Sequence, residues 1–326
     1  FYHIDPILIS KIEIGSGPLS SVHGSDAIAG VINISTIDPS EKRKFSFGLN
    51  SGPDNFFKKS FKVSGGQDNT VFNLGFLDAT TKGFPTLTSS DINSGYKNQS
   101  TISSLVHKNK KIKILTSIWQ TQGNTEYLNF EGSPISQDYK NQANSIDISY
   151  YPYETYKILI NYNSSKDLIT QKDNNFLNLK DLTKTQRESF EITTLDSSMK
   201  RFSYSLGYTF EKEKVDYSVF GATFNESIRT SSILISNQVT IDNSILGLTI
   251  RNFNHGTFGD HISWNLGFIK NLNTNWSLIL NSGEAFRSPN SSELYGFGSN
   301  LSLKPEVSRN IEFNLTRSEK RDNSLS

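Results

Sequence analysis

The chain has 326 residues, 33 Lys and Arg against 32 Asp and Glu, and a formal charge of +1. That balance excludes the concentrated basic excess of a nucleic-acid binder, and the absence of cysteine excludes disulfide frameworks, thiolate zinc sites and cysteine nucleophiles. Mean hydropathy is −0.44 and no apolar run approaches about eighteen residues, so helical membrane spans are excluded as well.

A transmembrane β-barrel stays open, because its strands alternate and average out to polar. Only 35% of residues are hydrophobic while aromatics reach 12%, a balance that suits strands with one wet face. The chain opens without a basic and then apolar leader, and it ends in a polar tail, Arg317 to Ser326. It reads as a fragment.

From Phe1 to about Asp38 the text is compact and punctuated by glycine. An apolar-rich stretch (Ile9, Ile12, Ile14) leads into a Gly/Ser/Pro turn, and a second apolar run follows from Ala29 to Ile34. Gly15-Ser16-Gly17 after a strand invites a dinucleotide-loop reading, which fails: Ser20 stands at the third glycine, Pro18 sits in the turn, and no βαβ unit follows. Asp38-Pro39-Ser40 is the expected linker, dividing residues 1–38 from residues 39–326.

Beyond about Arg43 the period becomes two. Phe45, Phe47 and Leu49 share one face, as do Ile146, Ile148 and Tyr150, then Tyr156, Ile158, Ile160 and Tyr162. In Ser203–Phe210 the split is between Tyr204, Leu206, Tyr208, Phe210 and Ser203, Ser205, Gly207, Thr209. Trp264, Leu266 and Phe268, then Trp276, Leu278 and Leu280, then Ile311, Phe313 and Leu315 continue the pattern. About 14 such segments of roughly 8–13 residues match the span of a tilted strand across a bilayer.

Tight connections (Ser197-Ser198, Asp242-Asn243, Asn271–Asn273) are expected to alternate with long polar ones (Pro85 to Lys97, Gly123 to Asn141, Asp167 to Thr185). Short turns at one end and long loops at the other is barrel topology. A soluble β-sandwich would also alternate, but its strands are usually shorter. Glu211 and Glu213, interleaved with Lys212 and Lys214, read as an extracellular strand extension.

Two motif regions then carry a resemblance. Lys11–Ile14, Ser16-Gly17-Pro18, His23-Gly24-Ser25-Asp26-Ala27 and Gly30–Ile34 together resemble the end of the plug domain of TonB-dependent outer-membrane receptors. Ser16, His23 and Ala29 depart from that pattern, which has Arg, Tyr and Gly there. Phe286-Arg287-Ser-Pro289, Glu293-Leu-Tyr295-Gly296 and Leu303-Lys304-Pro305-Glu306 resemble the family's mid-barrel blocks. The resemblance implies an all-β fold: an incomplete transmembrane antiparallel β-barrel of about 14 strands, out of roughly 22, preceded by the C-terminal part of a plug. It also implies an outer-membrane location in a Gram-negative bacterium, outer-membrane lipid around the wall, and coupling to a TonB complex through a segment preceding Phe1. The chain is expected to be a monomer and not an enzyme.

Within the family, Gly24–Ile28, Gly132-Ser133-Pro134, Ser165-Lys166-Asp167 and Leu294–Phe297 are most similar to receptors for cobalamin (vitamin B12). Ferric-siderophore or haem receptors, and then a passive porin, are the alternatives. The cobalamin resemblance also implies calcium in the outer loops, with Asp91, Asn93, Glu126 and Asp138 at the matching positions. Calcium takes roughly six to eight oxygen ligands, so clustered loop carboxylates would suit it. No other cofactor is expected. The five histidines (His3, His23, His107, His255, His261) lack ligand spacing and read as solvated, and no nucleophile elbow or P-loop occurs.

Overall fold

A computed structural model describes residues 3–36, 42–129, 131–173 and 180–317. The N-terminal segment carries a one-turn 3-10 helix, Pro6–Leu8, and two antiparallel strands, β1 (Ile9–Ser16) and β2 (Gly30–Thr36). Between them lies a single helical turn, α1 (Ser20–His23). The expected linker at Asp38-Pro39 falls outside the described residues.

Among the described residues fourteen strands follow, each hydrogen-bonded antiparallel to the next in chain order. They are β3 (Lys44–Ser51), β4 (Phe57–Gln67), β5 (Thr70–Thr81), β6 (Tyr96–Lys108), β7 (Ile112–Leu128), β8 (Pro134–Tyr153) and β9 (Tyr156–Asp173). Then come β10 (Lys180–Met199), β11 (Phe202–Val219), β12 (Ala222–Ile241), β13 (Ser244–His255), β14 (Gly259–Asn271), β15 (Trp276–Arg287) and β16 (Glu306–Arg317). A second helical turn, α2 (Ser291–Tyr295), stands in the loop before β16. No described helix is long and apolar enough to cross a membrane, which says nothing of strands.

Alternation translates directly into two faces. In β11, Tyr204, Leu206, Tyr208 and Phe210 are exposed, Leu206 to 53%, while Gly207 and Thr209 are buried. Cross-strand register extends the exposed row sideways. Tyr208 opposes Ile192 and Ile233, Ile192 opposes Ile160, and Ile160 opposes Ile148. Toward the other edge Ile235 opposes Ile250, which opposes Trp264. A one-residue slip anywhere would turn a strand's apolar set inward, so this belt pins the register of the whole sheet.

The opposite face is polar and concave, because one short segment touches both ends of the sheet. Lys58 of β4 pairs with Asp5 at 2.9 Å, and Lys62 donates to the Ile7 carbonyl. Leu8 packs with Leu77, Ala79 and Ile102 of β5 and β6 in a small apolar core. Some ten residues further along the segment, α1 lies against β13, β14 and β15.

The strands are longer than the alternation suggests, reaching 20 residues in β8, β10 and β12. Gly123–Leu128 and Pro134–Asn141, expected as loop, are strand, and the connection is only 129–133. Likewise β9 runs to Asp173 and β10 starts at Lys180. Beyond the apolar belt both faces meet water, so no side of the strand needs apolar residues and the period-two signal fades. The tight turns 109–111, 154–155, 200–201 and 242–243 lie at one end, while the long connections 82–95 and 288–305 lie at the other.

Candidate ligand site on the concave face

The segment between β1 and β2 is shaped by glycine where the chain must turn tightly. Gly17 and Gly24 have φ of 97° and 101°, and a Cβ on Gly30 would run into the Gly15 carbonyl. Gly17 N donates to the Ala29 carbonyl and Leu19 N to the Ala27 carbonyl, closing the loop on itself. The Ser20 hydroxyl donates to the Phe286 carbonyl at 3.2 Å, and Arg251 of β13 donates to the Val22 carbonyl at 3.2 Å. With Ser16 in place of the motif's arginine, the cationic contact near α1 is made from the wall.

The second motif region is explained by one guanidinium. Arg287 grips both oxygens of Glu293 at 2.7 and 2.9 Å and reaches Glu306 at 3.2 Å, so it ties the three sequence blocks together. That contact, joined by the Asn290 backbone N–H, holds the Glu293 carboxyl below the usual carboxylate range. Asn290 and Glu293 also form a reciprocal cap on α2. Phe286 is fully buried, edge-on to Phe253 and stacked on His261.

A cavity of about 540 Å³ opens between this segment and the wall. Its floor is the turn His23-Gly24-Ser25-Asp26, and its sides include Trp119, Ser145, Asn163, Ser189 and Thr230. Arg187 of β10 and Glu211 and Glu213 of β11 also line it, with Arg187 hydrogen-bonded to Glu213. Glu211 and Glu213 share the parity of buried Thr209, so the acids face inward and Lys212 and Lys214 outward. Asp26, Glu211 and Glu213 stand against Arg187; Glu188 and Lys212, which also border the cavity, oppose each other across β10 and β11, and Arg251 is turned to the Val22 carbonyl.

Ser288, Pro289 and Asn290, which begin the long loop 288–305, also line the cavity, and an aromatic rim stands beside them. Tyr217 stacks on Phe224 at 4.8 Å, Phe224 meets Tyr295 at 5.8 Å, and Phe220 meets Phe297 at 5.4 Å. Sequence reasoning missed this rim. The available signal was Phe220-Gly221, a two-residue hairpin turn with positive φ at both positions.

His3, His255 and His261, expected in solvent, are packed instead, while His107 stays exposed. His3 stacks on Tyr139 with ring centroids 3.5 Å apart, and His255 is buried, accepting from the Thr257 and Phe258 amides. Burial, and secondarily Arg251, hold His23 below its ordinary value of 6.5. Its neutral ring suits the docked segment, so docking is strongest above 6.5 and weakens as the pH falls and protons favour the undocked ring. A spin label at Ser25 is expected to gain mobility between pH 7.5 and 5.5, less so in His23→Gln. Identical profiles for both proteins would contradict this role.

The four residues matched to calcium loops do not form a cation shell. Asp138 is 3.9 Å from Lys172 and accepts from Asn124 at 2.7 Å. Glu126 lies beside Gly95, and Asp91 and Asn93 are exposed in the 82–95 connection. Among the described residues no three His, Asp or Glu side chains are grouped as a metal would require. A lysine beside Asp138 opposes a second cation there.

Comparison with known proteins agrees with this architecture. The chain is 26% identical over 342 aligned residues to "Vitamin B12 transporter BtuB" of Vibrio vulnificus strain YJ016, covering 95% of this chain and 52% of that protein. It is 22% identical to the protein of that name from Photobacterium profundum, covering 94% and 51%. The chain thus spans about half the length of the curated relatives it matches. Among solved structures, the FrpB iron transporter of Neisseria meningitidis (F5-1 variant) superposes with a TM-score of 0.81 at 13% identity, over 98% of this chain and 61% of that one. The siderophore receptor PirA of Acinetobacter baumannii gives 0.79 at 16% identity, over 96% and 56%. The family model "TonB dependent receptor-like, beta-barrel" matches residues 44–326, and the chain with its outward apolar belt and polar concave face belongs to that family.

Proposed function

We propose that this chain is the plug end and first barrel strands of an outer-membrane receptor for energy-coupled uptake of a scarce, large solute, best matched by cobalamin. The observation that carries this reading is the N-terminal segment bonded across the concave face from Asp5–Lys58 to Ser20–Phe286, so that it lies in the bore it would have to clear. The outer membrane holds no ATP. The work of moving that segment therefore comes from a partner, the TonB complex, acting on sequence that precedes the plug end.

Two observations favour cobalamin over a ferric siderophore. The curated relatives at 22–26% identity are named vitamin B12 transporters, whereas the siderophore and iron receptors match at 10–16% and speak for the fold. The cavity lining is also acidic, with Asp26, Glu188, Glu211 and Glu213 against Arg187 and Lys212. An anionic iron chelate meets repulsion there, while a large amide-rich ligand finds Ser, Asn and Thr side chains to bond and aromatic rings at the rim.

The test uses the full-length protein in outer membranes of a host lacking its own cobalamin receptor. Saturable cyanocobalamin binding, undiminished by excess ferric enterobactin, with accumulation lost when TonB is deleted, is the expected result. Binding of the ferric siderophore without cobalamin would replace the ligand assignment. Accumulation that persists without TonB would indicate a passive channel.

A further inference from the structure

At the end of the sheet that carries the tight turns, the charge balance departs from that of the whole chain. Across positions 42–44, 68–69, 107–113, 154–157 and 196–201, ten Lys and Arg stand against three Asp and Glu. The chain as a whole has 33 against 32. Three clusters supply the excess: residues 42–44 at the start of β3, the turn between β6 and β7, and residues 200–201 between β10 and β11. None of the ten cations has an ion pair among the described residues. Asp196, the acid beside the third cluster, is already engaged by the Tyr204 hydroxyl and the Ser198 amide, both at 2.8 Å.

The middle cluster is assembled against its own repulsion. Lys108 and Lys113 are direct cross-strand partners, and like charges placed opposite one another destabilise a hairpin. Lys110 and Lys111 at the tip add to that repulsion, and no acid lies between residues 107 and 113. Asp147 of β8 interacts electrostatically with Lys113, which leaves Lys108, Lys110 and Lys111 to be balanced from outside. The turn is nevertheless firmly held. Asn109 accepts from the Lys111 and Ile112 amides at 2.9 and 2.8 Å, the Lys108 amide donates to the Asn69 carbonyl, and the Tyr151 amide donates to the Lys111 carbonyl. An external anion would relieve the repulsion without having to order the turn.

Position selects the partner. Lys108 shares the inward parity of Ile102, while Lys110 and Lys111 are exposed at the tip. Outward at the same end stand Tyr150, Phe202 and Tyr204, exposed aromatics of the kind that mark a bilayer boundary. The tip cations lie past that boundary, in the water on the short-turn side, which in a barrel of this kind is the periplasm. Neighbouring strands are about 4.8 Å apart, so the three clusters span roughly 35 Å of rim. That is too wide for one small anion and suits an extended polyanion.

We propose that this rim, centred on Lys108, Lys110, Lys111, Lys200 and Arg201, docks the carboxylate-bearing peptide stems of the cell-wall polymer beneath the outer membrane. The proposal rests on the outer-membrane reading above. Charge complementarity selects carboxylates, and the place of the tips beyond the aromatic boundary selects a polymer in water over a lipid. Individually weak contacts add up along one polymer, because each bound stem raises the local concentration of the next. A partner that draws the plug segment inward would press this rim toward the wall, so the contact sits where that load is borne.

The test is co-sedimentation of the full-length receptor, in neutral detergent, with purified cell-wall sacculi. The probes are native sacculi and sacculi whose carboxylates have been converted to amides. Wild type is expected to pellet with native sacculi at least about tenfold more than with the amidated ones, and to be released as salt rises from about 0.1 to 1 M. Lys108→Gln/Lys110→Gln/Lys111→Gln should lose most of that preference, and the corresponding triple Lys→Arg variant, which keeps the charge, should retain it. Lys82→Gln/Lys180→Gln/Lys304→Gln at the opposite end should also pellet like wild type. Equal pelleting on amidated sacculi, no pelleting by wild type, or an unchanged preference in the first variant would overturn the site. Competition by phosphatidylglycerol vesicles at equal anionic charge would give the rim to a membrane lipid and overturn the cell wall as partner. A receptor that fails here yet needs detergent and takes up cyanocobalamin with TonB leaves the outer-membrane reading standing, whereas a chain soluble without detergent overturns both.

Discussion

An arginine at Leu206 is expected to destabilise the full-length barrel by about 2–4 kcal/mol, and the same substitution at Ser205 to be nearly silent. Leu206 is the central member of the exposed row Phe202, Tyr204, Leu206, Tyr208 and Phe210, and its cross-strand neighbours Thr194 and Ile235 point the same way. An arginine there must enter hydrocarbon or distort the bilayer to reach water. Ser205 opposes Leu195 and Ser236 on the concave face, where a long cation stays hydrated. Urea unfolding of the variants in lipid vesicles, followed by tryptophan fluorescence, measures both. Equal losses at the two sites would count against opposite solvents on the two faces.

Phe286→Ala is expected to cost about 3–5 kcal/mol, the range for truncating a buried aromatic. Phe286 is 2% exposed and fills the space between Phe253, at 5.0 Å, and His261, at 4.5 Å. Its carbonyl is also the acceptor for Ser20, so loss of packing should loosen α1 from the wall. Phe297 is the control, being 67% exposed on the rim. Its truncation should change stability by no more than about 0.5 kcal/mol while leaving the Ser20 contact intact. Unfolding midpoints for both variants, together with spin-label mobility at Ser25, separate the outcomes. Equal midpoints would mean that Phe286 is not a packing anchor.

The paired effects at Leu206 and Phe286 show how differently the two faces of one strand system were encoded. Outward residues repeat every second position, so Phe45, Phe47 and Leu49 or Ile311, Phe313 and Leu315 announce a strand with an apolar side in the bare text. The count of about 14 strands followed from that period, and the sheet has fourteen. The glycine-rich turns of residues 15–30 were equally legible, because tight backbone turns restrict the residue type. Strand ends were not. Gly123–Leu128 and Pro134–Asn141 read as loop because both of their faces are wet, and hydrogen bonding to a neighbour leaves no compositional trace.

The ligand site divides along the same line. His23–Asp26 was marked by its motif, but Arg187, Glu211 and Glu213 became cavity lining only through strand parity and curvature. The aromatic rim joins Phe224, Tyr295, Phe220 and Phe297, residues as far apart in sequence as Phe220 and Phe297, which meet at 5.4 Å. Asp91, Asn93, Glu126 and Asp138 were marked only by the family resemblance, and register sets Asp138 beside Lys172.

By itself, then, the sequence determined the class of backbone and which side of each strand is apolar, since periodicity is a local property that composition records directly. Only the tertiary structure decided which polar side chains converge, how far each strand runs and what faces the bore. Those outcomes depend on register and curvature, which bring together residues that no local pattern connects.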